Sequence, residues 1–272
     1  MGLVFGAIAP HGSIAIAEWC APEQRALAAK TRTGFEELGR RFDAARPDVT
    51  VLFTPHHLHV EGRMAVVLAG AMKGALEGGA QRVEMYAAVD RRLARAILDT
   101  LTEARIPAVA VSYGGNDQPT AVMPMDWATQ IPIHFMGGER LPIVAIAPAR
   151  DLPWDTHVAA GRAIARIAEA SKQRIAVIAS CDHGHGHDPK GPYGFTPKSK
   201  EFDDRVVELV KRNALGELLT FEPSFPTDAK ADSFWQMLML YGAIGDRWRA
   251  GFLSYEAPTY FGMLCASFTP PD

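Results

Sequence analysis

The sequence predicts an α/β fold: one domain spanning residues 1–272, with a mostly parallel central sheet and helices on both faces. Three observations predict it. Short apolar runs rich in Val and Ile recur along the chain, and longer segments of helical period fall between them. That alternation is the mark of strands laid parallel with covering helices, because a strand buried on both faces reads as an apolar run rather than as an alternating one. No internal repeat, low-complexity tract or long linker interrupts it.

The elements follow in order. Residues 3–9, LVFGAIA, form an apolar run closed by Pro10 and read as a buried strand. Glu23–Ala45 is rich in helix formers, with Arg46-Pro47 as its stop. VTVLFT at 49–54 is a second strand, cut off by Pro55, and MAVVLAG at 64–70 is a third candidate that could also be helical. RVEMYAAV at 82–89 reads as a strand, followed by a helix opened by Asp90 and running to Ile106. AVAVS at 108–112 is a strand leading into the turn YGGND. LPIVAIA at 141–147 and RIAVIAS at 174–180 are strands flanking a helix near 155–172. Residues 199–220 and 232–245 have helical patterns, and 251–268 reads as two short strands broken at Pro258. The Pro- and Gly-rich stretch 181–198 is the longest irregular segment, and long loops in compact domains are often functional.

Composition excludes several functions. The chain has 272 residues, 48% of them apolar, with 28 basic against 31 acidic side chains and no basic run, so a nucleic-acid surface is not expected. The three cysteines, Cys20, Cys181 and Cys265, are far apart with no CxxC, which suits reduced thiols and a cytoplasmic location. The apolar opening MGLVFGAIAPHG lacks the basic flank of a signal peptide, and no apolar run approaches a membrane span.

In open α/β sheets ligands bind beyond the carboxyl ends of the strands. Four expected strands end on groups that ligate metals or carry protons: His11; the PHHLH run with His56, His57 and His59; the CDHGHGHD loop with Asp182, His183, His185 and His187; and Glu256. Two imidazoles and a carboxylate from separate strands make a metal centre with open positions, which suits ferrous iron, and a zinc hydrolase can use a similar set. His134 and His157 lie in or beside helical patterns and are expected to be surface or core residues. HExxH is absent, and HVE at 59–61 lacks the PCxxC partner of zinc deaminases. HGHGHD matches the HxHxDH of metallo-β-lactamase-like hydrolases poorly, since His187 stands at the aspartate position. No GxSxG, GxGxxG or Walker A run occurs, and Cys181 is read as a small buried residue before a nucleophile.

APHG, FTPHHLHVEG, SCDHGHGHDPKGPYGF and SYEAPTYFGM, in this order along the whole chain, resemble the class III extradiol ring-cleavage dioxygenases of the LigB-like superfamily. The resemblance implies a non-haem Fe(II) enzyme that opens a catechol- or aminophenol-type ring with O2 as co-substrate. It implies a small aromatic substrate, no nucleic-acid or membrane partner, and a homodimer. It assigns His11 as first ligand, Glu256 as the carboxylate ligand, and either His56 or His57 as the second imidazole, with His56 preferred. His185 is the acid–base residue, taking a hydroxyl proton from the bound catechol and later returning it. His187, Tyr193 and His59 are assigned to the substrate wall and His183 is expected to be exposed; Tyr193 and Phe195 either stack on the substrate ring or pack the loop against the domain, and Asp182 either orients a ligand histidine or caps a helix. Arg63 and Arg150 are candidates to meet a substrate carboxylate. Two alternatives stay open: a Memo-like metal-binding relative without ring cleavage, in which the glutamate is replaced, and a zinc-dependent hydrolase.

Overall fold

The computed structural model describes residues 2–114 and 118–271. In chain order the elements are β1 (Gly2–Ala9), α1 (Ala29–Ala45), β2 (Val49–Phe53), β3 (Met64–Val67), β4 (Ala71–Leu76), β5 (Val83–Ala88) and α2 (Arg91–Glu103). They continue with β6 (Ala108–Val111), β7 (Val122–Pro124), α3 (Trp127–Phe135), β8 (Ile143–Ala147), α4 (Trp154–Ala170) and β9 (Arg174–Ser180). The last are α5 (Pro197–Lys211), α6 (Phe225–Asp228), α7 (Phe234–Ile244), β10 (Arg249–Glu256) and β11 (Met263–Thr269). Residues 115–117 of the expected YGGND turn lie outside the described residues.

An eight-stranded sheet runs β10-β11-β1-β9-β2-β8-β3-β6. Its centre, β1-β9-β2-β8, is parallel throughout, and β11 enters antiparallel to both β1 and β10. The carboxyl ends of β1, β2, β9 and β10 therefore share one edge. The central strands are buried on both faces, which is why their sequences read as unbroken apolar runs. Val49, Val51 and Phe53 of β2, like Ile175, Val177 and Ala179 of β9, pack on one side; Leu52, Ala176 and Ile178 pack on the other. On the first side lie α2, α4, α5 and α7. On the second lie α1, α3 and a three-stranded sheet, β5-β4-β7, that the sequence reading did not resolve. The strand expected at 82–89 belongs to this smaller sheet, paired antiparallel with β4.

Local chemistry sets the helix ends. Asp90 caps α2 as expected, its carboxylate accepting from Leu93 N–H at 2.9 Å. The helix then buries Leu93, Ala94, Ile97, Leu98 and Leu101, a stripe at helical spacing. The helix expected from Glu23 begins only at Ala29, after a 3-10 turn over Pro22–Gln24. Likewise α5 stops at Lys211, and the rest of the pattern to 220 is a separate 3-10 segment. Helix α7 presses against α4 through facing glycines: a Cβ on Gly161 would meet Met239 O at 2.0 Å, and one on Gly242 would meet Val158 O at 2.1 Å. That contact matters because the chain just before α7 enters the functional site. Among the described residues, no helix is long and apolar enough to cross a membrane.

Candidate metal centre

Beyond the common strand edge, His11, His56 and Asp232 each offer one ligand atom, all within 4.8 Å of one another. His11 follows β1 and is fully buried; His56 follows β2 and is partly open; Asp232 lies between α6 and α7 and is buried. Asp232 Oδ2 is 3.0 Å from His56 Nε2 and 3.4 Å from His11 Nε2.

The surroundings fix how His11 presents itself. Ser180, the last residue of β9, donates its hydroxyl proton to Ala128 O at 2.6 Å. Its oxygen is then left to accept from His11 Nδ1–H at 3.0 Å, so Nε2 is the nitrogen turned to the site. Asp182 holds the same residue from another side, accepting from the His11 backbone N–H at 2.9 Å with its other oxygen 3.5 Å from Nε2. His56 stacks on Trp127 with ring centroids 4.4 Å apart, and Trp127 opens α3 directly after its cap Asp126. Thr54 donates to Asp126 at 2.6 Å, which ties the segment carrying His56 to that cap.

These residues fit a cation. His11 Nε2 and Asp232 Oδ1 are buried with no hydrogen-bond partner, and buried polar atoms left that way are rare. Two imidazoles and one carboxylate leave room for further ligands, the arrangement that suits ferrous iron and, with a water, zinc. Without a metal the site holds a proton. Burial alone lowers the His11 pKa, but Asp182 and Asp232 outweigh it and raise the imidazole to about 9. Asp232 is held well below the usual carboxylate range: burial pushes it up, and His11 and His56 more than reverse that.

A pH prediction follows from the sign. A histidine raised from 6.5 to about 9 on folding contributes stability that is complete below pH 6.5 and lost as pH rises through 9. The shift is worth on the order of 3 kcal/mol. Metal-free protein is therefore expected to lose thermal stability between pH 6.5 and 9, while stabilisation by added divalent metal grows over the same range. Melting curves with and without metal at these pH values check it; a pH-independent metal effect refutes it.

A cleft of about 730 Å³ opens on the centre, within the roughly 300–1,000 Å³ usual for small-molecule sites. His11, His56, His57, Asp182 and His185 line it, along with an aromatic wall that includes Trp127, Tyr193, Tyr260 and Phe261. His185 stacks on Phe261 at 5.5 Å and meets the Tyr193 ring edge-on at 5.6 Å. Its Nδ1–H donates to the carbonyls of His183 at 2.7 Å and Lys230 at 3.0 Å. Carbonyls only accept, so Nε2 carries the lone pair.

The glycines of the loop now have a reason. A Cβ on Gly184 would meet Ser199 Cα at 2.6 Å, and one on Gly186 would meet Thr196 Cγ2 at 2.5 Å. Only glycine lets the histidine loop lie this close to the start of α5. Asp203 of α5 then pins the loop, accepting from Gly184 N–H, His187 Nε2–H and the Tyr255 hydroxyl.

Several expectations are corrected here. Glu256 does not meet the imidazoles; its Oε1 accepts from Thr31 N–H at 2.7 Å and Thr31 Oγ1–H at 2.8 Å in the first turn of α1. Its strand ends at the right edge, but Met263 of β11 pairs with Glu256 on one side and bridges Asp182 on the other. A whole strand thus intervenes, and two strand spacings are about 10 Å. Between the two PHH imidazoles, the structure brings His56 to His11; His57 lies on the cleft wall with its Nδ1 unpartnered, and burial lowers its pKa. His187 is drawn to Asp203 at 2.8 Å and does not line the cleft. His59 is exposed and does not line it, and Phe195 is 61% exposed away from it. His183 is not exposed but fully buried, its pKa lowered by burial to about 4, with Nδ1 3.0 Å from the Ser233 hydroxyl. Tyr193 does line the cleft, and Asp182 does hold a site histidine. The Cys181 thiol is fully buried and pushed well above its ordinary pKa by burial, which leaves it no nucleophilic role.

Asp232 is what the sequence reading missed. ADSFW reads as the cap of the helix that follows, yet neither Asp232 nor Ser233 caps it: the hydroxyl serves His183 and the carboxylate serves the histidines. The signal was a pair of good capping residues at one helix start, one more than a cap needs.

One comparison with known proteins gives the family, and another gives the fold. The family model described as the catalytic LigB subunit of aromatic ring-opening dioxygenase matches residues 6–264. Protein CA_C1420 of Clostridium acetobutylicum is 21% identical over 251 residues, covering 91% of this chain and 53% of that protein. The chain thus spans about half the length of this curated relative. The crystal structure of uncharacterized protein JW3007 from Escherichia coli K12 has the same fold, with a TM-score of 0.63 at 15% identity, covering 97% of this chain and 99% of the other.

Proposed function

Since the chain belongs to the LigB family of aromatic ring-opening dioxygenase catalytic subunits, we propose that His11, His56 and Asp232 hold one ferrous ion and that the protein opens a catechol- or aminophenol-type ring with dioxygen, next to the paired substituents. The observation that carries this reading is the convergence of two imidazoles and one carboxylate on the floor of an aromatic cleft that also holds a separate imidazole. Bound iron supplies the exchange of electrons between ring and dioxygen and the open positions where both are held.

The chain supplies binding, orientation and proton transfer. Trp127, Tyr260 and Phe261 offer ring faces and edges to a flat substrate and keep bulk water from it. Ser180 and Asp182 keep His11 in one tautomer and one position. His185 Nε2 accepts the hydroxyl proton that the substrate must lose on binding. The two carbonyls on its Nδ1–H hold the imidazole in place while Nε2 returns that proton as the substrate ring opens.

A second reading has an observation in its favour. Glu256 is the residue by which the sequence resemblance separates ring-cleaving members from Memo-like ones, and here its carboxylate is on Thr31. A Memo-like metal-binding role without ring cleavage, or zinc-dependent hydrolysis, fits the same set of two histidines and one aspartate. Protein purified without oxygen, analysed for metal, reconstituted with Fe(II) and mixed with a panel of catechols in air separates these. Ring cleavage predicts one dioxygen consumed per catechol and a yellow product. Retained zinc, with no oxygen uptake after iron loading, overturns the proposal in favour of the second reading.

A further inference from the structure

The connection between α6 and α7, residues 229–233, carries the carboxylate of the metal centre and runs beside the histidine loop. Its backbone N–H groups close the turn it leaves: those of Ala229, Lys230 and Ala231 donate to the carbonyls of Phe225, Thr227 and Pro226. Its carbonyls and side chains go to the loop instead. Ser233 Oγ stands 3.0 Å from His183 Nδ1, and Ser233 O accepts from the Cys181 thiol at 3.6 Å. Lys230 O accepts from His185 Nδ1–H at 3.0 Å, and the Lys230 ammonium donates to Tyr193 O. Ser199 bridges the two, its hydroxyl donating to Ala229 O at 2.8 Å and accepting from Gly186 N–H at 2.8 Å.

The Asp232 side chain itself has little to hold it. Its Oδ1 has no hydrogen-bond partner among the described residues, and its Oδ2 faces Nε2 of His56 and of His11. Once both Nε2 atoms give their lone pairs to a cation, neither can donate to the carboxylate. The carboxylate is then placed by its backbone, and the next residue fixes where that backbone lies. Ser233 is fully buried at the start of α7, where a serine hydroxyl ordinarily accepts from an N–H of the first turn. It makes no such bond, and its hydroxyl meets His183. The His183 ring is fully buried, tilted against Phe202 at 6.2 Å between centroids, and burial lowers its pKa to about 4. It is a neutral partner that brings no charge to the site.

We propose that His183 and Ser233 are a positioning pair: the hydrogen bond between them sets the Asp232 carboxylate over His11 and His56, so the loop that carries the acid–base histidine also sets the affinity for metal. The inference rests on the three-residue metal centre and not on ring cleavage. It gives each histidine of HGHGH a separate duty. His183 holds the connection that carries a ligand, His185 faces the cleft, and His187 is pinned by Asp203. Two crossings, 183 to 233 and 185 to 230, then fix the acid–base imidazole relative to the metal carboxylate.

The test reads metal binding and not turnover. The full chain, treated with chelator, is titrated calorimetrically with Zn(II) and separately loaded with Co(II), whose visible bands report coordination geometry. Ser233→Ala and His183→Phe are each expected to bind Zn(II) about tenfold or more weakly than wild type, the range for losing an outer partner of a ligand, and to shift the Co(II) bands. His183→Asn, whose amide offers a donor or an acceptor where Nδ1 stood, is expected to return affinity to within about threefold of wild type and to restore the bands. The double variant Ser233→Ala/His183→Phe is expected to bind no more weakly than the weaker single one, because two residues acting through one bond do not add. Leu101→Ala, in the buried stripe of α2, is the stability control. It is expected to lower the melting temperature at least as much while leaving Zn(II) affinity and the Co(II) bands unchanged. If His183→Phe fails to fold, Ser233→Ala decides alone, since it deletes a single oxygen. Wild-type affinity with unmoved bands in Ser233→Ala overturns the proposal, and so do single effects that multiply in the double variant. Wild-type protein that takes up neither metal overturns the centre itself and the pair with it. A chain that binds metal and opens no ring can still pass this test, and an active dioxygenase can fail it.

Discussion

Replacing Asp232 by alanine is expected to weaken divalent-metal binding by roughly 100-fold or more, beyond the 10–100-fold typical of losing only an outer partner of a ligand. Two imidazoles alone hold a metal poorly, and Asp232 is the carboxylate within reach of both Nε2 atoms, at 3.0 and 3.4 Å. The matched control is Glu256→Ala. Its carboxylate accepts two hydrogen bonds from Thr31 in the first turn of α1, where a negative charge also complements the helix dipole. That variant is expected to keep the metal within about threefold of wild type and to lose about 1 kcal/mol of stability, the usual cost of a lost cap. Calorimetric titration of chelator-treated protein with Zn(II), and with Fe(II) under nitrogen, reads the first quantity, and denaturant melts read the second. The reverse pattern, with metal lost in Glu256→Ala and kept in Asp232→Ala, returns the carboxylate role to the end of β10.

The contrast between these two acids shows what the sequence could and could not convey. The central strands were legible because burial on both faces leaves an unmistakable apolar run, as in VTVLF and RIAVIAS. Strands β4 and β7 were not: AMKGAL carries Lys73 and Gly74, and VMP is three residues long. Strand ends were legible too, which is how His11, His56, Asp182 and His185 came to be grouped. Strand order was not, because β11 is last in sequence yet sits between β1 and β10 in space. That insertion moves Glu256 away from His11 with no trace in the local motif. Asp232 was hidden for the opposite reason, since its neighbourhood has an ordinary local explanation as a helix start. The histidine loop was recognised as chemical, but its division of labour depends on α5, whose Asp203 takes His187 and leaves His185 to the cleft.

That division leads to the second large expected effect. His185→Phe is expected to retain metal, because His185 is not among the three clustered ligand residues, and to bind a catechol with little change, because phenylalanine keeps a flat ring against Phe261 and Tyr260. Turnover is expected to fall by about 10²–10⁴, the range for loss of a positioned acid–base group. Stability is expected to fall by about 1–3 kcal/mol as the carbonyls of His183 and Lys230 lose their shared donor. The measurements are therefore separable: metal content, substrate titration under nitrogen, single-turnover rate on admitting oxygen, and a melt. A loss confined to the rate assigns the proton to His185. A rate within threefold of wild type moves it to Asp182, the buried carboxylate on the same wall, whose pKa burial raises. Asp182 also holds the His11 backbone, so an acid–base role there would tie proton transfer to the geometry of a ligand. His185 carries no such second duty, since its Nδ1 is held by main-chain carbonyls alone and its Nε2 can gain and lose a proton while His11, His56 and Asp232 stay in place.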